Sequence, residues 1–156
     1  ITQISQWKIM SKEPSANNPP LPPRWLLRLF TKINVVVYKL SGGRLMNKLS
    51  GMPILLVEMK GAKSGKQRTI PLMYVPYEDG FILVASQGGA PKNPVWYNNL
   101  VAYPDVCITF GGQTKAMTVR RVSDEEKAQL WPVCCEYYPP YQDYQTRTDR
   151  NIPVFV

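Results

Sequence analysis

Gly61-Ala62-Lys63-Ser64-Gly65-Lys66-Gln67-Arg68-Thr69-Ile70-Pro71-Leu72 sets cations beside glycines between two apolar runs. The flanking runs, residues 53–59 and 69–77, are rich in β-branched, aromatic and large apolar side chains and read as strands. The cationic segment is then the connection of a hairpin. Gly61 and Gly65 give it the backbone freedom to turn successive N–H groups toward one point, an anion-binding concavity that Lys63, Lys66 and Arg68 would surround. A phosphate suits that surrounding, because backbone donors orient it while Arg offers a planar fork and Lys a mobile point charge. A solvated hairpin tip has the same composition and is the alternative. The loop is not a Walker motif: three residues separate its glycines, and Gln67 stands where Ser or Thr would bind magnesium.

Outward from this hairpin, residues 81–86, 106–110, 114–122 and 152–156 complete a set of six strand-like segments. Glu78-Asp79-Gly80 and Gly111-Gly112 are short turns of hairpin type. Six short strands with few helices predict a barrel or half-barrel, since closure hides sheet edges. Residues 94–100 read as a short helix with proline in its first turn. Ser123-Asp124-Glu125-Glu126 reads as a capping box opening a helix to about residue 136. Upstream, Leu26, Leu29, Phe30, Ile33, Val37 and Leu40 recur at helical steps until Gly42-Gly43 stops them. The expected helix carries Arg24, Arg28, Lys32 and Lys39 within one sector. Two placements suit it: on an anionic bilayer through Arg24, Arg28 and Lys32, or across an open end of the barrel with its charges in water. Residues 1–23, ending in Pro19-Pro20-Leu21-Pro22-Pro23, read as a flexible arm, and residues 24–156 as a single domain.

The chain has 156 residues, enough to bury roughly 68–70% of its unfolded surface. Its net charge of +8 favours an anionic partner: a phosphorylated or polycarboxylate ligand, or an acidic membrane surface. No nucleic-acid-reading motif accompanies the charge. Cys107, Cys134 and Cys135 are an odd set without metal-ligand spacing, which fits a reducing, cytoplasmic setting. The sequence contains no histidine, which removes Ser-His and Cys-His catalysis and histidine metal sites. No metal site is expected. No apolar run reaches the ~18 residues of a membrane span.

The stretch Ser86-Gln87-Gly88-Gly89-Ala90-Pro91-Lys92-Asn93-Pro94-Val95-Trp96-Tyr97-Asn98-Asn99-Leu100, with the Gly61 loop, Leu130-Trp131-Pro132 and the run from Tyr138-Pro139-Pro140-Tyr141 to Asp149-Arg150, resembles the deazaflavin (coenzyme F420)-dependent nitroreductase family. The resemblance covers residues 25–156 in consistent order. It implies a mainly β fold with flanking helices (α+β), a split β-barrel like that of FMN-binding proteins. It also implies coenzyme F420, an 8-hydroxy-5-deazaflavin, as cofactor, with FMN the alternative. Family matching places the coenzyme's phosphate and acidic tail against Lys63, Ser64, Arg68, Thr69, Ile70, Pro71, Leu72, Met73 and Tyr74. It places the ring against Val84, Ala85, Ser86, Gln87, Val95, Trp96, Tyr97, Asn98 and Asn99. Tyr141 is expected beside both coenzyme and substrate. Gln87 stands where many relatives carry lysine and Ala62 where many carry arginine, so positive charge is lost beside ring and tail.

The implied activity is hydride transfer from the reduced coenzyme to a small-molecule acceptor: a quinone, an activated enone or a nitro-aromatic. Tyr141 and Ser86 are the candidates for stabilising the developing oxyanion, and Tyr138 and Tyr144 for contacting substrate. A tyrosine of ordinary pKa, about 10, stays protonated near neutrality and donates to an oxygen gaining charge. The expected location is the cytoplasm, with peripheral contact on the inner face of the membrane. The rival without catalysis is a lipid-binding module of the membrane surface. The sequence sets no oligomeric state.

Overall fold

A computed structural model describes residues 23–49 and 51–156. The arm expected over residues 1–23 lies, apart from Pro23, outside them. The strand run read at residues 53–59 is β2 (Met52–Lys60), and it is paired along both edges: with β3 (Gln67–Met73) on one side, and with β1 (Lys48–Leu49) and β6 (Asp105–Phe110). Its apolar residues cover two faces in turn, as a period of two requires. Leu55, Val57 and Met59 enter the barrel core with Leu83, Ile108 and Phe155. Ile54 and Leu56 point the other way, against Tyr38.

β6 pairs with β7 (Gln113–Thr118) through the Gly111-Gly112 turn. A second sheet holds β4 (Val75–Tyr77), β5 (Gly80–Val84) and β8 (Val154–Phe155), again antiparallel. Two of the six expected strands are interrupted. The run 69–77 breaks at Tyr74, whose ring turns in against Phe81 and Phe110 at 5.1 and 5.4 Å. The run 114–122 breaks after Thr118, then rejoins at residues 120–122, where Arg120 exchanges backbone hydrogen bonds with Val156 and Val122 N–H donates to Val154. Each break is a corner at which one continuous run leaves the first sheet and enters the second. The strand circuit closes through them into a split barrel.

Helix α2 (Val95–Ala102) lies against β2, and α3 (Asp124–Tyr137) and α4 (Pro140–Thr146) pack on each other over the second sheet. The α3 start carries half of the expected box: Ser123 Oγ accepts from Glu126 N–H, while the Glu126 carboxylate turns to Arg120 instead of reaching back.

Helix α1 (Arg24–Leu40) has the expected bounds. Tyr38 is 1% exposed and Val35 packs beside it, whereas Leu29, Phe30, Ile33 and Leu40 are exposed. Tyr38 is the buried position of the helix, and Leu26, Thr31, Asn34, Val35 and Val37 are half-buried. Among the described residues Asn34 Oδ1 is buried there without a hydrogen-bond partner. Of the expected apolar stripe, Leu26 and Val37 are half-buried, while Leu29, Phe30, Ile33 and Leu40 are exposed, which leaves the bilayer placement open.

The C-terminal end of α1 is tied down by three contacts. Tyr38 Oη donates to Ile54 O at 3.4 Å, Lys39 pairs with Glu58 at 3.3 Å, and the Gly42-Gly43 turn meets the β6–β7 turn. A Cβ on Gly112 would stand 2.8 Å from Gly42 O at a φ of +79°, whereas one on Gly111 would meet nothing. Gly112→Ala is therefore expected to cost about 1 kcal/mol or more. Gly111→Asn, which tolerates its left-handed φ, is expected to cost less. Denaturant unfolding of the two variants checks the contrast.

Candidate active site

The hairpin between β2 and β3 is where the sequence placed it, but its backbone is spent differently. Gly61 N–H donates to Lys66 O, Gly65 N–H to Gly61 O, Lys66 N–H to Ser64 Oγ, and Ala62 N–H to Asn99 Oδ1 at 2.9 Å. Those donors hold the loop's own shape and its tie to α2. Of the expected concavity they leave Lys63 and Ser64 N–H, which donate to no protein group among the described residues, beside the loop's side-chain charge. Asn99 is nearly buried and also donates from Nδ2 to Met59 Sδ, which fixes the amide that holds Ala62.

Beside this loop lies a cavity of about 560 Å³. Lys63, Ser64, Arg68 and Ile70 of the hairpin form one wall, Val95, Trp96, Asn98 and Asn99 of α2 another, and Arg28 reaches in from α1. No carboxylate lines it, and the ion pairs of the described residues, Lys39–Glu58 and Arg120–Glu126, involve none of its cations. On the other side of Trp96 is a second cavity of about 340 Å³. Pro71, Leu72 and Met73 of β3, Val84, Ser86, Gln87 and Gly88 form its apolar and backbone-lined side, with Leu49 and Pro94. Tyr138, Tyr141 and Tyr144 close it. A larger groove of about 610 Å³ lies apart, over the β2, β6 and β7 strands, and contains none of the expected site residues.

Four residues expected to hold the coenzyme line neither of the two joined cavities. Thr69 is one step out of phase with Arg68 and Ile70 on a strand, so its side chain projects from the opposite face of β3. Tyr74 is turned into the aromatic cluster at the β3–β4 corner. Tyr97 packs on Phe155 and its hydroxyl accepts from Arg121, because one helical step past Trp96 rotates it toward the core. Ala85 is fully buried and serves through its carbonyl.

That carbonyl belongs to a feature without any local signature among neighbouring residues. Arg150 donates to Ala85 O at 3.1 Å, Ser86 O at 2.7 Å, Ala90 O at 2.8 Å and Asn93 Oδ1 at 2.7 Å. One guanidinium thus holds both ends of the segment that floors the second cavity. Gln87, Gly88 and Gly89 all have left-handed φ there, at 45°, 63° and 79°. Gly89 admits no side chain, since a Cβ would stand 2.5 Å from Tyr144 O. This contact lets α4 approach close enough to bring its tyrosines over the cavity.

The tyrosines form one cluster. Tyr138 and Tyr141 rings are 4.9 Å apart and edge-on, and the Tyr138 and Tyr144 hydroxyls are 3.3 Å apart. Tyr141 is 3% exposed, and its hydroxyl has no hydrogen-bond partner among the described residues. Burial above all, and then the neighbouring Cys134 thiol, push its pKa well above the ordinary tyrosine value. Cys134, fully buried, is itself pushed up to about 11 by burial, so it is an inert core thiol. Behind the cluster, Lys127 crosses from α3 to Gln145 Oε1 at 2.9 Å and to Asn151 Oδ1, over the Trp131 ring. Burial lowers its pKa.

The two cavities fit a ligand with a polyanionic tail and a flat aromatic head. The barrel and this bipartite site define a split-barrel oxidoreductase. Residues 30–156 match the F420H(2)-dependent quinone reductase family. An F420H(2)-dependent quinone reductase of Mycobacterium tuberculosis, Rv1261c, is 38% identical over 141 residues, covering 85% of this chain and 95% of its own. A solved F420-H2 dependent reductase, FDR-A, is 48% identical with a TM-score of 0.60, over 66% of this chain and 91% of that one. A solved domain-swapped dimer is 40% identical with a TM-score of 0.60, over 80% and 98%. The chain belongs to the F420H(2)-dependent quinone reductase family, oxidoreductases whose cofactor is coenzyme F420. The α+β split barrel expected from the sequence is the fold observed. Among the described residues no helix is long and apolar enough to cross a membrane, and no group of residues could hold a metal ion.

Arg150→Ala is expected to lower stability by about 2–3 kcal/mol, the worth of its charged hydrogen bonds. It should also open residues 85–93 to limited proteolysis ahead of the rest of the chain. Cleavage no faster than in the unsubstituted protein would remove Arg150 from this role.

Proposed function

We propose that this chain reduces a quinone, and by the same chemistry an activated enone or a nitro-aromatic, with the coenzyme tail in the cationic cavity and its ring in the aromatic one. The supporting observation is the junction at Trp96 of two cavities of opposite character, one with three cations and no carboxylate, the other walled by tyrosines. Reduced coenzyme F420, when bound, supplies a hydride from its C5 carbon. Lys63 and Arg68 hold the phosphate and acidic tail, and Ser64 offers it a hydroxyl. Trp96, Val84 and Leu72 give the ring apolar contact and exclude water from it. Gln87 and Gly88 meet its polar edge through backbone groups.

Each acceptor named carries an oxygen that becomes more negative as it is reduced. Tyr141 is the donor placed for that oxygen: its ring is locked by Tyr138 and Trp131, and its hydroxyl is unclaimed. Burial keeps the proton on it, because a raised pKa means the neutral phenol persists to higher pH. Ser86 is the second donor candidate on the same wall. Tyr138 and Tyr144 hydrogen-bond to each other and shape the acceptor's side of the cavity.

Arg68→Ala is expected to weaken coenzyme binding about tenfold, the worth of one charge-assisted hydrogen bond, with little change in melting temperature. Tryptophan fluorescence titration with the reduced coenzyme checks it; a lost fold with unchanged affinity would reassign Arg68 to structure. Tyr141→Phe is expected to lower kcat by about 10²-fold and leave coenzyme affinity within a small factor. Turnover of the unsubstituted enzyme should show no loss at Tyr141 as pH rises to 10, since the folded-state pKa lies above the free value. A Tyr141-dependent fall below pH 10 would contradict that placement.

A second role is supported by α1. Trp25, Leu29, Ile33, Val36 and Leu40 make an exposed apolar stripe, Trp25 at 66% and Leu40 at 85%, flanked by Arg24 and Lys32. This suits peripheral contact with the anionic inner face of the cell membrane from the cytoplasm. Co-sedimentation with phosphatidylserine vesicles should exceed that with neutral vesicles and fall on Leu29→Asp. Equal recovery in the supernatant would end this role.

A further inference from the structure

The sequence paired Arg28 with the membrane-facing charges of α1, yet the structure turns it elsewhere. Arg28 lines the 560 Å³ cavity with Lys63 and Arg68, on the wall facing the hairpin loop. It precedes residue 30, where the family match begins, so the match assigns it nothing.

The cause of this placement lies in the far end of the helix. Arg28 and Lys39 are about three turns apart and so project from one face, along about 16 Å of axis. Lys39 is held at Glu58 of β2, and Tyr38 beside it is buried against Ile54 and Leu56. Anchoring that end of a rigid helix to β2 sets the rotation of the whole helix. Arg28 is thereby directed to the strand end at Met59 and Gly61, where the cavity opens. Its guanidinium has no carboxylate partner among the described residues. A cation so placed, on a wall without acidic groups, adds a third positive charge to a cradle that Lys63 and Arg68 fill only from the opposite side.

We infer that Arg28 binds the acidic tail of the coenzyme, so that α1 is a wall of the coenzyme site. This rests on the coenzyme assignment proposed above. The flat ring on the far side of Trp96 is beyond its part in binding, because Arg28 is absent from the cavity that would hold it.

The test is equilibrium binding by tryptophan fluorescence with two probes: reduced coenzyme F420, and the deazaflavin nucleoside lacking phosphate and glutamate tail. Arg28→Ala should weaken the full coenzyme about tenfold, as expected for one charge-assisted contact, and leave the nucleoside unchanged. Raising salt should weaken the unsubstituted protein more than the variant, because one screened charge pair has gone. Arg28→Lys should retain most of the affinity. Ala62→Arg in the Arg28→Ala background, which returns a cation to the same cavity, should recover part of it. Full-coenzyme affinity unchanged in Arg28→Ala, or equal weakening of both probes, would overturn the inference while leaving the coenzyme assignment intact. Failure of the unsubstituted protein to bind the coenzyme would overturn both. Retained vesicle binding by Arg28→Ala beside weakened coenzyme binding would support the inference, since a membrane-facing arginine would show the reverse.

Discussion

Strand β2 is paired on both edges and buried on both faces, and the remaining architecture answers to that. Ile54, Leu55, Leu56 and Val57 are 0–2% exposed, so apolar cover is needed on each side of one strand. The barrel interior covers Leu55 and Val57. Ile54 and Leu56 would face water without α1, and burying two such side chains is worth roughly 3–6 kcal/mol. Covering them sets where α1 lies, and it does so through Tyr38 and Val35 and not through the helix's most apolar stripe. The apolar stripe is left over for another surface. The same strand then runs out into the cationic loop, so the element that requires α1 also carries the anion site to α1's other end.

Charge is sorted by neighbourhood more than by number. The net charge of +8 spreads over the surface, where isolated cations in water are weak determinants. Carboxylates neutralise Lys39 and Arg120, which tie elements together. The cavity at the hairpin is different because its walls hold cations and no acid. In such a concave site the fields of Arg28, Lys63 and Arg68 add, and a multiply charged ligand collects the sum while a singly charged one does not. A tail bearing several carboxylates and a phosphate is the kind of ligand for which this arrangement discriminates.

Much of the fold was legible because local pattern and tertiary outcome coincide. The continuous apolar run of β2, the glycine turns and the serine cap of α3 each depend on nearby residues alone. Corners are harder. Nothing in the run 69–77 marks Tyr74 as a break, since the break is made by Phe81 and Phe110 arriving from other strands. The facing of α1, for which the sequence left two placements, needs the folded chain for a related reason. A helical wheel shows which residues share a side but not which side another element will cover, and Ile54 and Leu56 of β2 take Tyr38. In the site, motif matching brought together residues of one stretch without distinguishing their faces, so Thr69 and Tyr97 were grouped with neighbours that point elsewhere. Arg150 had no local signal at all: its partners are some sixty positions upstream, and only the folded chain sets a guanidinium among four oxygens.

With no histidine in the sequence, the proposed reaction relies on the tyrosine cluster for a proton donor, and the cluster's construction explains how a phenol suffices. A surface tyrosine has a mobile hydroxyl whose hydrogen bonds to water compete with any ligand. Tyr141 has little access to water, and Tyr138 and Trp131 restrict its ring. The contact of Gly89 with Tyr144 sets the height of α4, and Lys127 braces the same helix from behind through Gln145. In the proposed reaction the donor is therefore pre-oriented before an acceptor arrives, which is what makes a hydrogen bond count more in a transition state than in water. The bracing groups, Lys127 among them, lie on the tyrosine side of Trp96, and the cations that line a cavity, Arg28, Lys63 and Arg68, lie on the other. On the proposed assignment, changes to the tyrosine wall alter acceptor choice without touching the charges assigned to the tail, because only the indole of Trp96 is common to both cavities.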